Sequence, residues 1–131
     1  MKVEELKIST SKKIELLDIS SEILNLIRTQ KLKRGILYLF VPHTTAGITI
    51  NESYDPSVGT DLERSFAQLV PDINFKHGEG NSPAHFLSSL IGNSIIIPVV
   101  NGEADLGTWQ GIFFCEFDGP RSRRLKAYWQ E

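Results

Sequence analysis

The sequence predicts an α+β domain: a mainly antiparallel sheet packed with three helices. Three observations lead there. The chain has 131 residues, the length of one domain with an independent core. Its helix and strand signals run in the order ββ-α-ββ-αα-βββ, and helices that do not alternate singly with strands argue against a doubly wound parallel sheet. Toward the C-terminus, strands are joined by the tight-turn signals Asn101-Gly102 and Asp118-Gly119-Pro120, which connect antiparallel neighbours. Residues 1–131 are accordingly read as a single domain.

Residues 2–9 and 12–18 read as two short strands around Ser9-Thr10-Ser11. Ser20 is placed to cap a helix from Ser21 to Gln30, with Glu22 favourable in its first turn. Ile23, Leu24 and Ile27 supply its apolar stripe. Gly35 breaks the pattern, and Ile36 to Val41 is apolar on both faces, as an interior strand is. Pro42-His43-Thr44-Thr45 interrupts before Ala46 to Asn51 resumes as a strand. There Ala46, Ile48 and Ile50 share one face, and Thr45, Gly47, Thr49 and Asn51 make the other small and polar. Asp55-Pro56 starts a helix: a capping carboxylate, then proline at the first helical position. It runs to Val70, where Pro71 stops it, with Leu62, Phe66 and Leu69 toward the core. Residues 72–81 form a loop. Ser82-Pro83 starts the third helix in the same way and Gly92 ends it. Ile95 to Val100 is a strand, Ala104 to Phe117 a long one, and the last strand runs through Trp129.

Charge and cysteine content bound the function. The net charge is −2, which gives no bulk electrostatic argument for nucleic acid or an anionic membrane. Arg121, Arg123, Arg124 and Lys126 read as a solvated strand edge, where positive charge deters edge-to-edge pairing. Cys115 is the only cysteine, so no intrachain disulfide forms. Its apolar neighbours make it a small core residue rather than a nucleophile. No signal-peptide pattern opens the chain and no apolar run reaches bilayer-spanning length, so a cytoplasmic protein is expected.

Gly107-Thr108-Trp109-Gln110-Gly111 stands inside the long strand signal. Glycines there give up side-chain packing and carry an entropic cost. Alternation puts Trp109 on one face with both glycines, and Thr108 and Gln110 on the other. A large ring between bare positions reads as a flat platform or a close backbone approach, for a ligand or another subunit, or as room made for the indole itself.

All three histidines fall in two segments, His43 in PHTTAG and His77 and His85 in HGEGNSPAH. His85 is expected as the third residue of its helix, where the dipole disfavours imidazolium. Neutral imidazole is the form that a base, a hydrogen-bond acceptor or a metal ligand requires. Singly, each histidine is a capping or hydrogen-bonding group. The three together, beside glycine, proline and small polar residues, point to a functional site. The spacing of His77 and His85 is not that of a two-histidine helical zinc motif. With no glycine-rich phosphate loop ending in lysine, a phosphate would be held by backbone amides at the two proline-led helix starts and by the hydroxyls of Thr44, Thr45 and Thr108. Glu52 and Asp55 are placed to orient a histidine or hold Mg²⁺. Asp61, Glu103 and Asp105 read as exposed.

The segments HTTAGITINE, the Asp55-Pro56 helix start with Asp61-Leu62-Glu63, HGEGNSPAH, and IPVVNG followed by LGTWQGI together resemble the YjbQ-like family, also labelled secondary thiamine-phosphate synthase. The likeness spans residues 5–129 in order and spacing. It implies a compact α+β fold that assembles as a homotrimer and couples a hydroxymethylpyrimidine diphosphate to a thiazole phosphate. The positions that match the family's site pattern are His43, Thr44, Thr45, Asn51, Glu52, Asp61, His77, Glu79, Gly80, Asn81, His85, Gly107, Thr108, Trp109 and Gln110.

The expected site takes His43, His77 and His85 as catalytic groups, and the same three as candidate ligands of a divalent ion, Mg²⁺ or Zn²⁺. Thr44, Thr45, Asn51, Glu52, Asn81, Gly107, Thr108, Trp109 and Gln110 are the substrate-binding set. No organic cofactor is expected. Two functional classes use this set: an enzyme acting on phosphorylated small molecules, and a non-catalytic phospho-ligand or metal-binding trimer. In a third, structural reading, the GTWQG strand and the small-faced strand pack subunits together. Neither nucleic acid nor a membrane is an expected partner.

Overall fold

Apolar alternation on eight strands sorts the chain into two antiparallel sheets. The computed structural model describes residues 1–131. Its elements are β1 (Lys2–Ser9), β2 (Glu15–Asp18), α1 (Ser20–Thr29), β3 (Gly35–Phe40), β4 (Ala46–Glu52), α2 (Pro56–Leu69), α3 (Ser82–Ile91), β5 (Ser94–Val100), β6 (Glu103–Ala104), β7 (Gln110–Glu116) and β8 (Ser122–Gln130). One sheet has the order β1-β8-β3-β5-β6 and the other β2-β7-β4. Every pairing is antiparallel, so the α+β domain with three helices stands.

The main core fills the space bounded by both sheets and α1. Leu37 and Leu39 of β3, Ile97 and Val99 of β5, and Leu125, Ala127 and Trp129 of β8 meet Ala46 and Ile48 of β4 and Ile112 and Phe114 of β7. A second cluster lies on the other side of the three-stranded sheet, where Phe113 and Cys115 pack with Leu16, Ala84, Leu87 and Phe117. β7 is therefore buried on both faces, which is why Ile112-Phe113-Phe114-Cys115 reads as a continuous apolar run. Cys115 is a buried free thiol whose pKa burial pushes up to about 12, as a core residue requires. The outer face of the five-stranded sheet carries a cross-strand row, Val3–Tyr128–Tyr38–Ile96, in which Val3 and Ile96 are exposed.

Several local expectations are corrected. The second strand is Glu15–Asp18, not 12–18. Ser20 is the first residue of α1, and the cap position, Ile19, supplies no side-chain bond. Asp18 accepts the Ser20 amide instead, at 2.9 Å. That frees the Ser20 hydroxyl to accept the Ile112 amide at 2.9 Å and tie α1 to β7. The α1 stripe buries Leu26 with Ile23 and Ile27, while Leu24 is half-buried. Asp55 caps α2 as expected, accepting the Ser57 amide at 2.9 Å, but no α2 residue is buried and Leu69 is exposed. Asn81, not Ser82, occupies the α3 cap position, without a side-chain bond, which makes His85 the fourth helical residue. Gly92 does end α3, at φ 93°.

Three corrections bear on the site. The long strand 104–117 is two strands separated by a turn, in which the Gln110 amide donates to the Gly107 carbonyl at 3.1 Å. Thr108 and Trp109 are therefore turn residues, and strand alternation does not apply to them. Gly47 is small because the end of α3 sits on it: a Cβ there would lie 2.6 Å from the Gly92 carbonyl oxygen. And β8, which carries the arginine cluster, is not an edge strand but lies between β1 and β3.

Candidate functional site

The arginine cluster resolves into four different environments. Residues 123, 125, 127 and 129 alternate toward the core, and this burial takes Arg123 with it. A buried guanidinium needs a partner, and Glu116 at the end of β7 provides one. Arg123 Nε donates to both Glu116 oxygens at 2.9 and 3.2 Å, and Nη2 donates to the second oxygen as well. Glu116 further accepts the Thr10 hydroxyl at 2.7 Å and the Asp118 amide at 3.1 Å. Burial pushes this carboxyl upward, but those hydrogen bonds and the Arg123 charge hold it below the usual glutamate range. Arg121 lies outside and donates to Asp118, Arg124 faces Glu5 at 3.5 Å, and Lys126 is half-buried.

This network positions the PHTT loop. Arg123 Nη2 donates to the Thr45 carbonyl at 3.1 Å and to its hydroxyl at 2.8 Å. Next to it, the Arg124 amide donates to His43 Nε2 at 3.0 Å. Neutral imidazole has one lone pair, so in this arrangement His43 has no second acceptor to offer and presents Nδ1–H as a donor. Burial, then the charges of Arg123 and Arg124, hold the His43 pKa below its ordinary value and keep it neutral at neutral pH. His43, Thr44, Thr45, Asn93 and Arg123 line a cleft of about 430 Å³.

The second cluster is on the loop before α3. The rings of His77 and His85 meet edge to face, with centroids 5.3 Å apart, and Glu79 stands 3.8 Å from His77 Nε2. Asn81 Nδ2 donates to Asp118 at 3.2 Å, joining the loop to the β7–β8 turn. Burial raises the Asp118 pKa, but the bonds from Asn81 and Arg121 and the nearby arginine charges bring it below the ordinary value.

The third cluster is the Gly107–Gln110 turn. Gln110 Oε1 accepts the Gly107 amide at 2.8 Å, and the Trp109 carbonyl accepts the Ser53 amide at 2.9 Å. These bonds hold the Trp109 indole out in solvent, 55% exposed, where Tyr54 meets it edge-on at 5.0 Å. Asn51 and Glu52 pair with Gly111 and Gln110 across β4 and β7, and Glu52 lines an acidic cleft with Asp18, Asp55 and Glu63. Asp61 is exposed on α2.

The expected site residues thus form three clusters rather than one pocket. No three His, Cys, Asp or Glu side chains stand together as a metal site requires, and the His43 lone pair is engaged. The chain does not by itself fit a closed divalent-ion site. Arg123, Glu116 and Tyr54 were missing from the expected set. The signal for Arg123 was the alternation of the last strand, which puts it in phase with Leu125 and Ala127. Tyr54 was marked only by a large aromatic immediately before a helix cap.

Comparison with known proteins agrees with this architecture. A family model described as UPF0047 protein YjbQ-like matches residues 4–131. The UPF0047 protein MJ1081 of Methanocaldococcus jannaschii is 54% identical over 120 residues, covering 91% of this chain and 87% of that protein. The UPF0047 protein YugU of Bacillus subtilis is 46% identical over 121 residues, covering 90% and 91%. A crystal structure of a YjbQ/UPF0047-family protein from Clostridium acetobutylicum superposes with a TM-score of 0.91 at 41% identity, covering 97% of this chain and 99% of that one. No helix is long and apolar enough to cross a membrane.

Proposed function

The chain belongs to the UPF0047 YjbQ-like family, and from that premise we propose that it is a cytoplasmic enzyme of phosphorylated small molecules with thiamine-phosphate synthase activity. The observation that carries the reading is the His43 cleft, whose lining offers hydrogen-bond donors and no carboxylate. In the proposed reaction the bond from the pyrimidine methylene carbon to the diphosphate oxygen breaks, and its electron pair leaves with pyrophosphate. The thiazole nitrogen lone pair then closes the new C–N bond. The protein's work is to align the two rings and to bind the charge that gathers on the leaving group. The His43 cleft serves the second task. Trp109 and Tyr54 offer a face and an edge for a heteroaromatic ring, which serves the first. A divalent ion would be held at His77 and His85 only if a further ligand joined them; their imidazoles suit Zn²⁺ better than Mg²⁺, and the ion would supply positive charge to phosphate oxygens.

Synthesis of thiamine phosphate from purified substrates tests the reading. His43→Ala, His85→Ala and Trp109→Ala should each lower the rate by about tenfold or more. Equal rates in all four proteins would reject the assignment. Saturable binding of a pyrimidine phosphate in a calorimeter, without turnover, would favour the non-catalytic alternative.

The proposal includes a homotrimer, since a neighbouring subunit can bring one cluster against another and cover the exposed row on the five-stranded sheet. Light scattering should give about three times the 14.7 kDa chain mass, and Ile96→Lys should shift the population toward monomer. A wild-type monomer at micromolar concentration would exclude the assembly.

A further inference from the structure

We propose that Arg123 is the phosphate-binding cation of the His43 cleft, its Nη1 edge acting with the Nδ1–H of His43 and the Thr44 hydroxyl on one phosphoryl group. The inference rests on the phospho-substrate reading and names the group that would carry it.

A guanidinium presents five N–H donors in a planar fork. Glu116 and Thr45 occupy Nε and Nη2, while Nη1 donates to no protein group and is not among the atoms sealed from solvent. A residue only 5% exposed therefore keeps one charged edge open where it lines a cleft. Its position is set by a bidentate carboxylate beneath it, so binding an anion costs little side-chain ordering. The surrounding groups are donors as well. His43 is locked with Nδ1 protonated because the Arg124 amide occupies Nε2. Thr44 is exposed with an unpartnered hydroxyl, and the Asn93 carboxamide stands on the same cleft.

The acidic cleft beside Glu52 makes the opposite case. Asp18, Glu52, Asp55 and Glu63 line it, and its one cation, Lys12, is already bonded to Glu63 at 2.8 Å. A phosphate would meet repulsion there, whereas at Arg123 the compensating carboxylate is sealed below the guanidinium. Charge-assisted bonds to an oxyanion are the strong class of hydrogen bond, and the only buried cation with a free edge is on the His43 side.

Nuclear magnetic resonance with inorganic phosphate and pyrophosphate as probes tests the assignment. Saturable shifts are expected at the Arg123 guanidinium, the His43 ring and the Thr44 amide. Arg123→Lys keeps a charge over Glu116 but has no Nη1, and it should weaken binding by about tenfold. Thr44→Val and Asn93→Ala leave the buried pair intact and should each weaken binding severalfold, so the test survives if the lysine variant folds poorly. Arg64→Ala, on the surface of α2, should bind as the wild type does. Wild-type affinity in Arg123→Lys, or phosphate shifts confined to His77 and His85, would overturn the role of Arg123 while leaving a phospho-ligand protein in place. Absence of phosphate and pyrophosphate binding at millimolar concentration would overturn both.

Discussion

Glu116→Ala should destabilise the protein by about 3–5 kcal/mol, the cost of leaving a buried charge without its partner. That is a large share of the stability of an ordinary domain, about 5–15 kcal/mol, and should lower the melting temperature by about 10–20 °C. The argument rests on how many groups one carboxylate satisfies. Glu116 is fully buried and accepts bonds from Arg123, the Thr10 hydroxyl and the Asp118 amide. Arg123 in turn holds Thr45. The set joins the end of β1, both sheets and the PHTT loop, so its loss is not local. Replacing both partners with apolar residues, Glu116→Leu with Arg123→Met, should recover much of the loss, because it removes the desolvation cost together with the attraction. A double variant no more stable than Glu116→Ala would show that the network's hydrogen bonds, not its charge balance, dominate.

The same group sets a pH dependence. Because the folded pKa of Glu116 lies below the ordinary value of 4.5, the unfolded chain takes up the proton first. Its contribution to stability is complete above 4.5 and is lost as pH falls through the lowered folded value. Urea midpoints should therefore drop more steeply below that pH in the wild type than in Glu116→Gln, which has no proton to gain.

What the sequence made legible were features whose cause is local. Asp55 followed by proline caps α2 because the carboxylate needs only the next two residues. Gly92 ends α3 because the backbone there has positive φ. β3 reads as an interior strand and does lie between β5 and β8, although only the face carrying Leu37 and Leu39 is buried. What failed depended on distant partners. Ser20 looks like a helix cap, yet its hydroxyl is taken by an amide 92 residues away. The basic last strand looks like an edge, yet pairing on both sides makes it interior, and only Glu116 makes Arg123 tolerable there. The histidines are legible because imidazoles among glycines and prolines are conspicuous. Their division into two clusters was not legible, since it depends on which loop the fold brings beside which strand.

Gly111→Ala should cost about 1–3 kcal/mol, the range for forcing an added methyl into a packed site, while Gly107→Ala should cost well under that. Local sequence makes these two glycines equivalent, one on each side of Thr108-Trp109-Gln110. Their surroundings differ. A Cβ on Gly111 would collide with the Ser53 side chain and come within 2.9 Å of the Ser20 hydroxyl, the same oxygen that receives the Ile112 amide. Relief at Ser53 would leave the Ser20 contact, so Ser53→Gly should restore only part of the stability. At Gly107 the nearest group is the Gln110 side-chain oxygen at 3.2 Å, which can move. Denaturation curves would separate the pair, and equal losses would reject packing as the reason for Gly111. Fluorescence adds a second reading. Trp129 is buried and Trp109 is exposed, so a change in the emission of folded Gly111→Ala reports on the turn. Gly111 is thus bare to let β7 pass beneath Ser53 and Ser20.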